Sequence, residues 1–329
     1  MKGQLIYSHG DPAGIGADLI IHLANEPFWE SISSPIVTIG DEKFLRSRAE
    51  ELKKKVRFVA LKSPSDAKKN ILGTVQFYCI ENCKDFAAGT PNPSNAQYII
   101  KNLNFGIDWC LENKFSALIT GPIQKSNINN GGFKNFIGHT EWIQKRTKSE
   151  NVVMLLASSK LKVALATTHI PISSVPSHIS KKSLVATIKT VHQGLVEKFK
   201  IDRPVITLLG LNPHAGEDGK IGQEEITAIN PAAIACRKMG INVSDAISAD
   251  TAFNNKQRKI TDAYIGMYHD QVLPVLKALS FGKSVNITLG TPIIRTSVDH
   301  GTALNLAGKI KPNMGSVKEA LAQALAQAK

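Results

Sequence analysis

Three histidines in similar settings give this sequence its first chemical signal. His169 lies in T-T-H-I-P, His214 in L-N-P-H-A-G-E-D-G and His269 in Y-H-D-Q. Each follows an apolar run, and successive ones are 45 and 55 residues apart, so they come from separate elements. A single histidine past a strand is more often a hydrogen-bonded turn residue. Three in equivalent positions favour a shared ligand, because ligands of open α/β sheets gather at the carboxyl ends of the strands. A metal centre with three protein ligands keeps a position for water or substrate, which is the catalytic arrangement. Asp270, directly after His269, is placed to orient the imidazole or to cap the next helix.

A second set of residues points to an anion. Arg295 and Asn286 lie in the largely apolar stretch Val285–Lys309, V-N-I-T-L-G-T-P-I-I-R-T-S-V-D-H-G-T-A-L-N-L-A-G-K. Arginine is the usual bidentate partner of phosphate, and an arginine among apolar residues asks for an anionic partner. Lys277, eighteen residues earlier, makes a candidate second phosphate contact; the alternative is two solvated bases. G-H-T-E, Gly138–Glu141, adds His139 beside Thr140, although Thr140 reads equally as the N-cap of the helix containing Trp142. G-D-P-A-G-I-G, Gly10–Gly16, follows the first apolar run and precedes a helical pattern. Its glycines let the backbone approach a partner and aim N–H groups at an anion. Its spacing is not that of a dinucleotide fingerprint. G-K-S at 282–284 is not a P-loop, because position 277 is lysine where that motif needs glycine.

The elements that must position these residues alternate. Apolar runs occur at Gln4–Ser8, Pro35–Ile39, Val56–Ala60, Thr74–Ile80, Ala117–Thr120, Val152–Ala157, Val163–Thr168, Val205–Leu209, Ala263–Tyr268 and Val285–Leu289. Helical periodicity fills Ala17–Asn25, Ala96–Leu111, Ser183–Phe199 and Val317–Gln327. That alternation predicts an α/β protein with helices covering a parallel or mixed sheet. The length, 329 residues, fits two domains or one bilobal unit, and no low-complexity linker separates halves.

Composition narrows the classes further. There is no apolar run long enough for a membrane span and no secretory leader, and the four cysteines lack zinc-ribbon spacing, so a cytoplasmic protein with reduced thiols is expected. The net charge of +13 is spread over helix-like segments, and the densest cluster, Lys53–Lys55, has no interleaved aromatics. A nucleic-acid partner is therefore not expected, and an anionic small molecule accounts for the charge as well.

Taken together, G-D-P-A-G-I-G, G-H-T-E, T-T-H-I-P, L-N-P-H-A-G-E-D-G, Y-H-D-Q-V-L-P-V-L-K and V-N-I-T-L-G-T-P-I-I-R-T-S-V-D-H-G-T-A resemble the 4-hydroxythreonine-4-phosphate dehydrogenases of pyridoxal phosphate biosynthesis. The likeness runs from residue 5 to about 325 in the family's order and is loose between 30 and 95. It implies a homodimer with the active site at the subunit interface. It implies two α/β/α lobes around a cleft, as in isocitrate and isopropylmalate dehydrogenases. One lobe would comprise about 1–125 plus the chain after about 270, and the other about 126–269. It places a divalent metal, often zinc, with magnesium, cobalt or manganese as alternatives, on His169, His214 and His269. It places substrate contacts on His139, Thr140, Lys277, Asn286 and Arg295, and a carboxylate near the site at Asp250, which with Lys277 is a candidate proton acceptor. The loop D-H-G-T-A-L-N-L-A-G-K resembles the adenine-side loop H-G-S-A-P-D-I-A-G-K of isopropylmalate dehydrogenases. The NAD or NADP cofactor is then expected along His300, Gly301, Thr302, Ala303 and Asn305, with Gly14 of the glycine turn. Leu304 and Asn305 replace that loop's proline and aspartate.

Three other readings compete. A paralogue would run the same chemistry on phosphorylated threonate or erythronate. A zinc hydrolase would use the three histidines with Asp250 or Glu217 to activate water, and would leave the 300–305 loop without a role. A non-catalytic anion-binding module would not need three histidines.

Overall fold

All ten apolar runs become strands in the computed structural model, which describes residues 3–328. Two further strands complete the set of twelve: β1 Leu5–Ser8, β2 Ile36–Ile39, β3 Arg57–Ala60, β4 Thr74–Tyr78, β5 Ala117–Thr120, β6 Val153–Ala157, β7 Lys162–Leu165, β8 Ile206–Leu209, β9 Val243–Ile247, β10 Ala263–Gly266, β11 Val285–Leu289 and β12 Ile294–Val298. The expected helices form at Gly16–Ala24, Ala96–Glu112, Lys181–Phe199 and Gly315–Gln327.

The chain divides into two compact units. Unit 1 runs to Thr147 and resumes at Pro292, and unit 2 is Lys148–Thr291. The sequence put these divisions near 125 and 270. The observed ones place His139 and Thr140 in unit 1 with Arg295, and Lys277 and Asn286 in unit 2 with the three histidines.

Unit 1 orders its strands β3-β4-β2-β1-β5-β12, all parallel. Its central strands bury every residue; Leu5, Ile6 and Tyr7 have no exposure, nor do Ala117 to Thr120. Apolar side chains on both faces are what a parallel sheet covered on both sides requires. Unit 2 orders its strands β11-β6-β7-β10-β8-β9. Here β7, β10, β8 and β9 run parallel, while β6 is antiparallel to both β7 and β11. The mixed α/β expectation is met.

The two strands not marked by an apolar run are the informative ones. β9, V-S-D-A-I, lies at the end of its unit's strand order, pairs irregularly with β8, and exposes Asp245. An edge strand needs few apolar residues. β12, I-R-T-S-V, is buried along most of its length, but Arg295, Thr296 and Ser297 break the apolar run that would announce it.

Candidate functional site

In unit 2 the three histidines follow neighbouring strands. β7, β10 and β8 are adjacent and parallel, so the chain leaves each at the same sheet edge, toward His169, His269 and His214 respectively. His269 opens the helix His269–Ser280, with Tyr268 as its N-cap residue. The apolar run from Ala263 therefore ends where a strand becomes a helix, and the histidine stands at the turn. Its ring centroid lies 5.7 Å from that of His169. Its Nδ1 is 2.6 Å from Asp270 Oδ1, so Nε2 is the nitrogen it would offer to a ligand. Both rings line a cavity of about 250 Å³ with Thr168, Ile172 and Tyr268.

His214 is presented differently. It begins five consecutive residues with left-handed backbone, His214 to Asp218, with φ between 43° and 80°. Only Gly216 among them is free of a Cβ penalty, and each of the others costs about 1–2 kcal/mol. Glu225, 2% exposed, braces this turn: one carboxylate oxygen accepts the Asn212 N–H at 2.9 Å and the other the Asn212 Nδ2–H at 3.0 Å. A Cβ on Gly216 would come within 2.6 Å of Glu225 Oε2. The helix Ala249–Ala252 packs against the turn, and Asp250 on it is exposed. Ser248 donates a hydrogen bond to Asp250, and this with the nearby His214 holds its carboxyl below the usual range.

The fit to a metal is partial. Two facing imidazoles, one oriented through Nδ1 by a carboxylate, suit two ligands of one divalent cation. Among the described residues, however, no three His, Cys, Asp or Glu side chains gather at metal-binding geometry. Lys277 is half-buried on the last turn of the His269 helix. Asn286 faces Leu156 across the β11–β6 pair, and its Oδ1 is buried with no hydrogen-bond partner, an acceptor suited to a ligand N–H or O–H.

In unit 1 the anion-binding expectation lands on a buried cation. Arg295 is 2% exposed, and Nε and Nη2 donate to Thr120 Oγ1 at 3.2 and 2.7 Å. Burial lowers its pKa to about 10 against the pull of Glu141, so it is still a cation at neutral pH. It is not a solvated base. His139, half-buried at the start of the helix His139–Thr147, has a pKa well below the usual value, first from burial and then from Arg295 and Lys125. Thr140 falls inside that helix rather than ahead of it. His139, Lys125 and Ser297 line a cavity of about 160 Å³ whose other walls include Gly121, His300 and Gly301. It opens at the carboxyl ends of the parallel strands β5 and β12, the edge where α/β sheets bind ligands.

Of the loop residues expected to meet a cofactor, His300 and Gly301 line this cavity; Thr302, Ala303 and Asn305 are not among its walls. A Cβ on Gly301 would meet nothing within 4 Å, so backbone there faces open space. The glycine turn differs from its expected role. Three of its N–H groups are taken internally: Ala13 donates to Asp11 Oδ1, Gly14 to the Asp11 carbonyl and Ile15 to the Thr302 carbonyl. They do not present themselves to an anion. Gly14 instead lets the loop approach, since its Cβ would lie 3.0 Å from the Thr302 carbonyl oxygen.

Several residues here went unread in the sequence: Lys125, Thr120, Glu225, and the buried pair Arg48 and Asp18. One signal was available. Arg48 lies three and four residues after Leu45 and Phe44, on the apolar face of its helix, where a charge needs a partner. The four cysteines are free thiols, as expected from their spacing.

The chain is similar to known proteins over nearly its whole length. The family model for pyridoxal phosphate biosynthetic protein PdxA matches residues 31–324. A 4-hydroxythreonine-4-phosphate dehydrogenase from Sodalis glossinidius is 43% identical over 318 residues, 97% of this chain and 95% of the relative. One from Vibrio vulnificus is 44% identical over 326 residues, 99% of this chain and 98% of the relative. The crystal structure of 4-hydroxythreonine-4-phosphate dehydrogenase from Klebsiella pneumoniae superposes with a TM-score of 0.90 at 30% identity, covering 100% of this chain and 98% of that one.

Proposed function

The chain belongs to the pyridoxal phosphate biosynthetic protein PdxA family, and from that footing we propose that it oxidises 4-phosphohydroxy-L-threonine with NAD or NADP as the oxidant. The C3 alcohol loses a hydride to the nicotinamide and a proton to a base. The product, 2-amino-3-oxo-4-phosphooxybutanoate, is a β-keto acid and releases carbon dioxide to give 3-amino-2-oxopropyl phosphate. The structural observation that carries the reading is Arg295, a buried cation beside the cavity that His139 shares with His300 and Gly301, where the 300–305 loop begins. A hydrolase leaves that loop idle.

The residues divide the work by their chemistry. Arg295, with His139 and Thr140, holds the phosphate, and Lys277 is a further candidate contact. Asn286 Oδ1 accepts from the substrate's ammonium or hydroxyl. His169 and His269, whose rings lie 5.7 Å apart, would hold a divalent cation, with His214 the candidate third ligand, and that cation would supply Lewis-acid polarisation of the alcohol oxygen. Zinc, magnesium, cobalt and manganese all suit such a donor set. Asp250 and Lys277 are the candidate acceptors for the alcohol proton: Asp250 is a carboxylate held below the usual range and so a weak base, and a lysine serves as base only in its neutral form. We further propose that the protein works in the cytoplasm as a homodimer with its site at the subunit interface.

The test is reduced-nicotinamide absorbance with NAD or NADP, a divalent cation and 4-phosphohydroxythreonine, repeated after chelation and with phosphorylated threonate. Cation-dependent reduction with the amino acid supports the proposal. Reduction with the threonate alone transfers the chemistry to a sugar acid, and silence with both, from folded metal-loaded protein, refutes it.

A further inference from the structure

Unit 1 contains a buried ion pair that the proposed reaction does not use. The side chains of Arg48 and Asp18 are 2% and 0% exposed, with Nη1 2.6 Å from Oδ1. Every part of this pair reaches the same neighbourhood. Arg48 Nη1 also donates to the Gly14 carbonyl at 2.9 Å, Nη2 to the Pro12 carbonyl at 2.8 Å, and Nε to Glu51 at 3.1 Å. The second oxygen of Asp18 accepts the Gly308 N–H at 2.8 Å. The turn it grips holds the loop from the other end, through Ile15 N–H to the Thr302 carbonyl at 3.0 Å. One guanidinium thus fixes the glycine turn, and one carboxylate fixes the far end of the loop that begins at His300.

We propose that the Arg48–Asp18 pair is a positioning device for the nucleotide cofactor. It clamps the loop 300–308 against the glycine turn and so sets cofactor affinity. The inference rests on the reading of that loop given under the proposed function. Stability alone is a poor explanation, because a buried ion pair contributes little beyond an apolar pair of the same volume. What it does provide is fixed geometry: a planar fork with four acceptors around it has one way to sit. The loop needs such fixing. Ala303 is left-handed at φ 45°, a conformation that persists only where the surroundings dictate it. Gly308 is also left-handed, and a Cβ there would lie 2.7 Å from Glu51 Oε2, on the same helix that carries Arg48.

The test is a fluorescence titration of NADH and NADPH into the substrate-free protein and four variants. Asp18→Asn and Arg48→Lys weaken the clamp, Gly14→Ala pushes Thr302 while leaving the ion pair intact, and Asn305→Ala probes the loop itself. The clamp variants are expected to weaken binding of the preferred cofactor roughly tenfold or more, the effect of one lost charged hydrogen bond. The KM for the cofactor rises with it, while the KM for the phosphorylated substrate stays within about twofold of wild type, a split that general destabilisation would not produce. If Asp18→Asn and Arg48→Lys do not fold, Gly14→Ala decides. Folded clamp variants that bind as wild type overturn the inference. If they do so while Asn305→Ala weakens binding, the loop reading stands and the clamp alone falls. A wild-type protein that binds neither cofactor overturns the proposed function and this inference together.

Discussion

A guanidinium that is 2% exposed keeps its charge only with polar groups close around it, and Arg295 has Thr120 and the field of Glu141. Its planar fork, not its charge alone, is what reads a phosphate. Arg295→Lys is therefore expected to raise the KM for the phosphorylated substrate roughly tenfold or more with kcat less affected, measured by steady-state kinetics. An unchanged KM would move the phosphate elsewhere. His9 makes a separate prediction. It is fully buried, with Nε2 2.7 Å from the Tyr98 hydroxyl, and burial pushes its pKa from 6.5 down to about 3. The folded state resists its protonation, so its share of stability is complete above pH 6.5 and is lost as pH falls from 6.5 toward 3. His9→Gln should flatten denaturant-measured stability across that window by up to about 1.4 kcal/mol per pH unit. Equal slopes for the two proteins would contradict the assignment. At this scale the structure brings three residues singled out in the sequence, His139, Arg295 and Gly301, to one cavity wall or beside it. The sequence did not show Arg48 or Glu225, whose hydrogen-bond partners lie far along the chain or in a turn no motif encodes.

Elements explain how those residues are held. The left-handed turn His214–Asp218 is costly, and Glu225 with Gly216 offsets part of that cost. Gly216→Ala puts a Cβ at φ 80° and against Glu225, so it should destabilise unit 2 by about 1–2 kcal/mol in denaturant unfolding. If His214 is a ligand, zinc affinity by calorimetry should weaken in the same variant. Unaltered stability and affinity would show that the turn tolerates strain there. Strand positions were legible wherever apolar residues ran together, because burial on both faces demands it. β9 and β12 were not: an edge strand escapes that demand, and β12 carries Arg295 into the interior. The glycine turn was correctly placed between strand and helix, but three of its N–H groups close on the protein itself. Spacing records where glycines are, not which partner accepts their neighbours' protons.

For the whole molecule, family membership and the mixed α/β architecture were legible because six motifs in fixed order leave few alternatives. Where the chain passes between units was not, since no change of composition marks Thr147 or Thr291. The proposed dimer has its own test. Phe281 and Ile172, 80% and 72% exposed, are large apolar side chains of the kind an interface covers. Light scattering should give twice the 35.7 kDa chain mass. Mixed His214→Ala and Lys277→Ala subunits should recover partial activity if one site draws on both. A monomeric mass would end that proposal. The most direct measurement of the central claim follows reduced nicotinamide and carbon dioxide together, from 4-phosphohydroxythreonine and purified protein. The account predicts equal amounts of the two, both abolished by chelation. Carbon dioxide without reduced nicotinamide, or turnover that is indifferent to chelation, would contradict it.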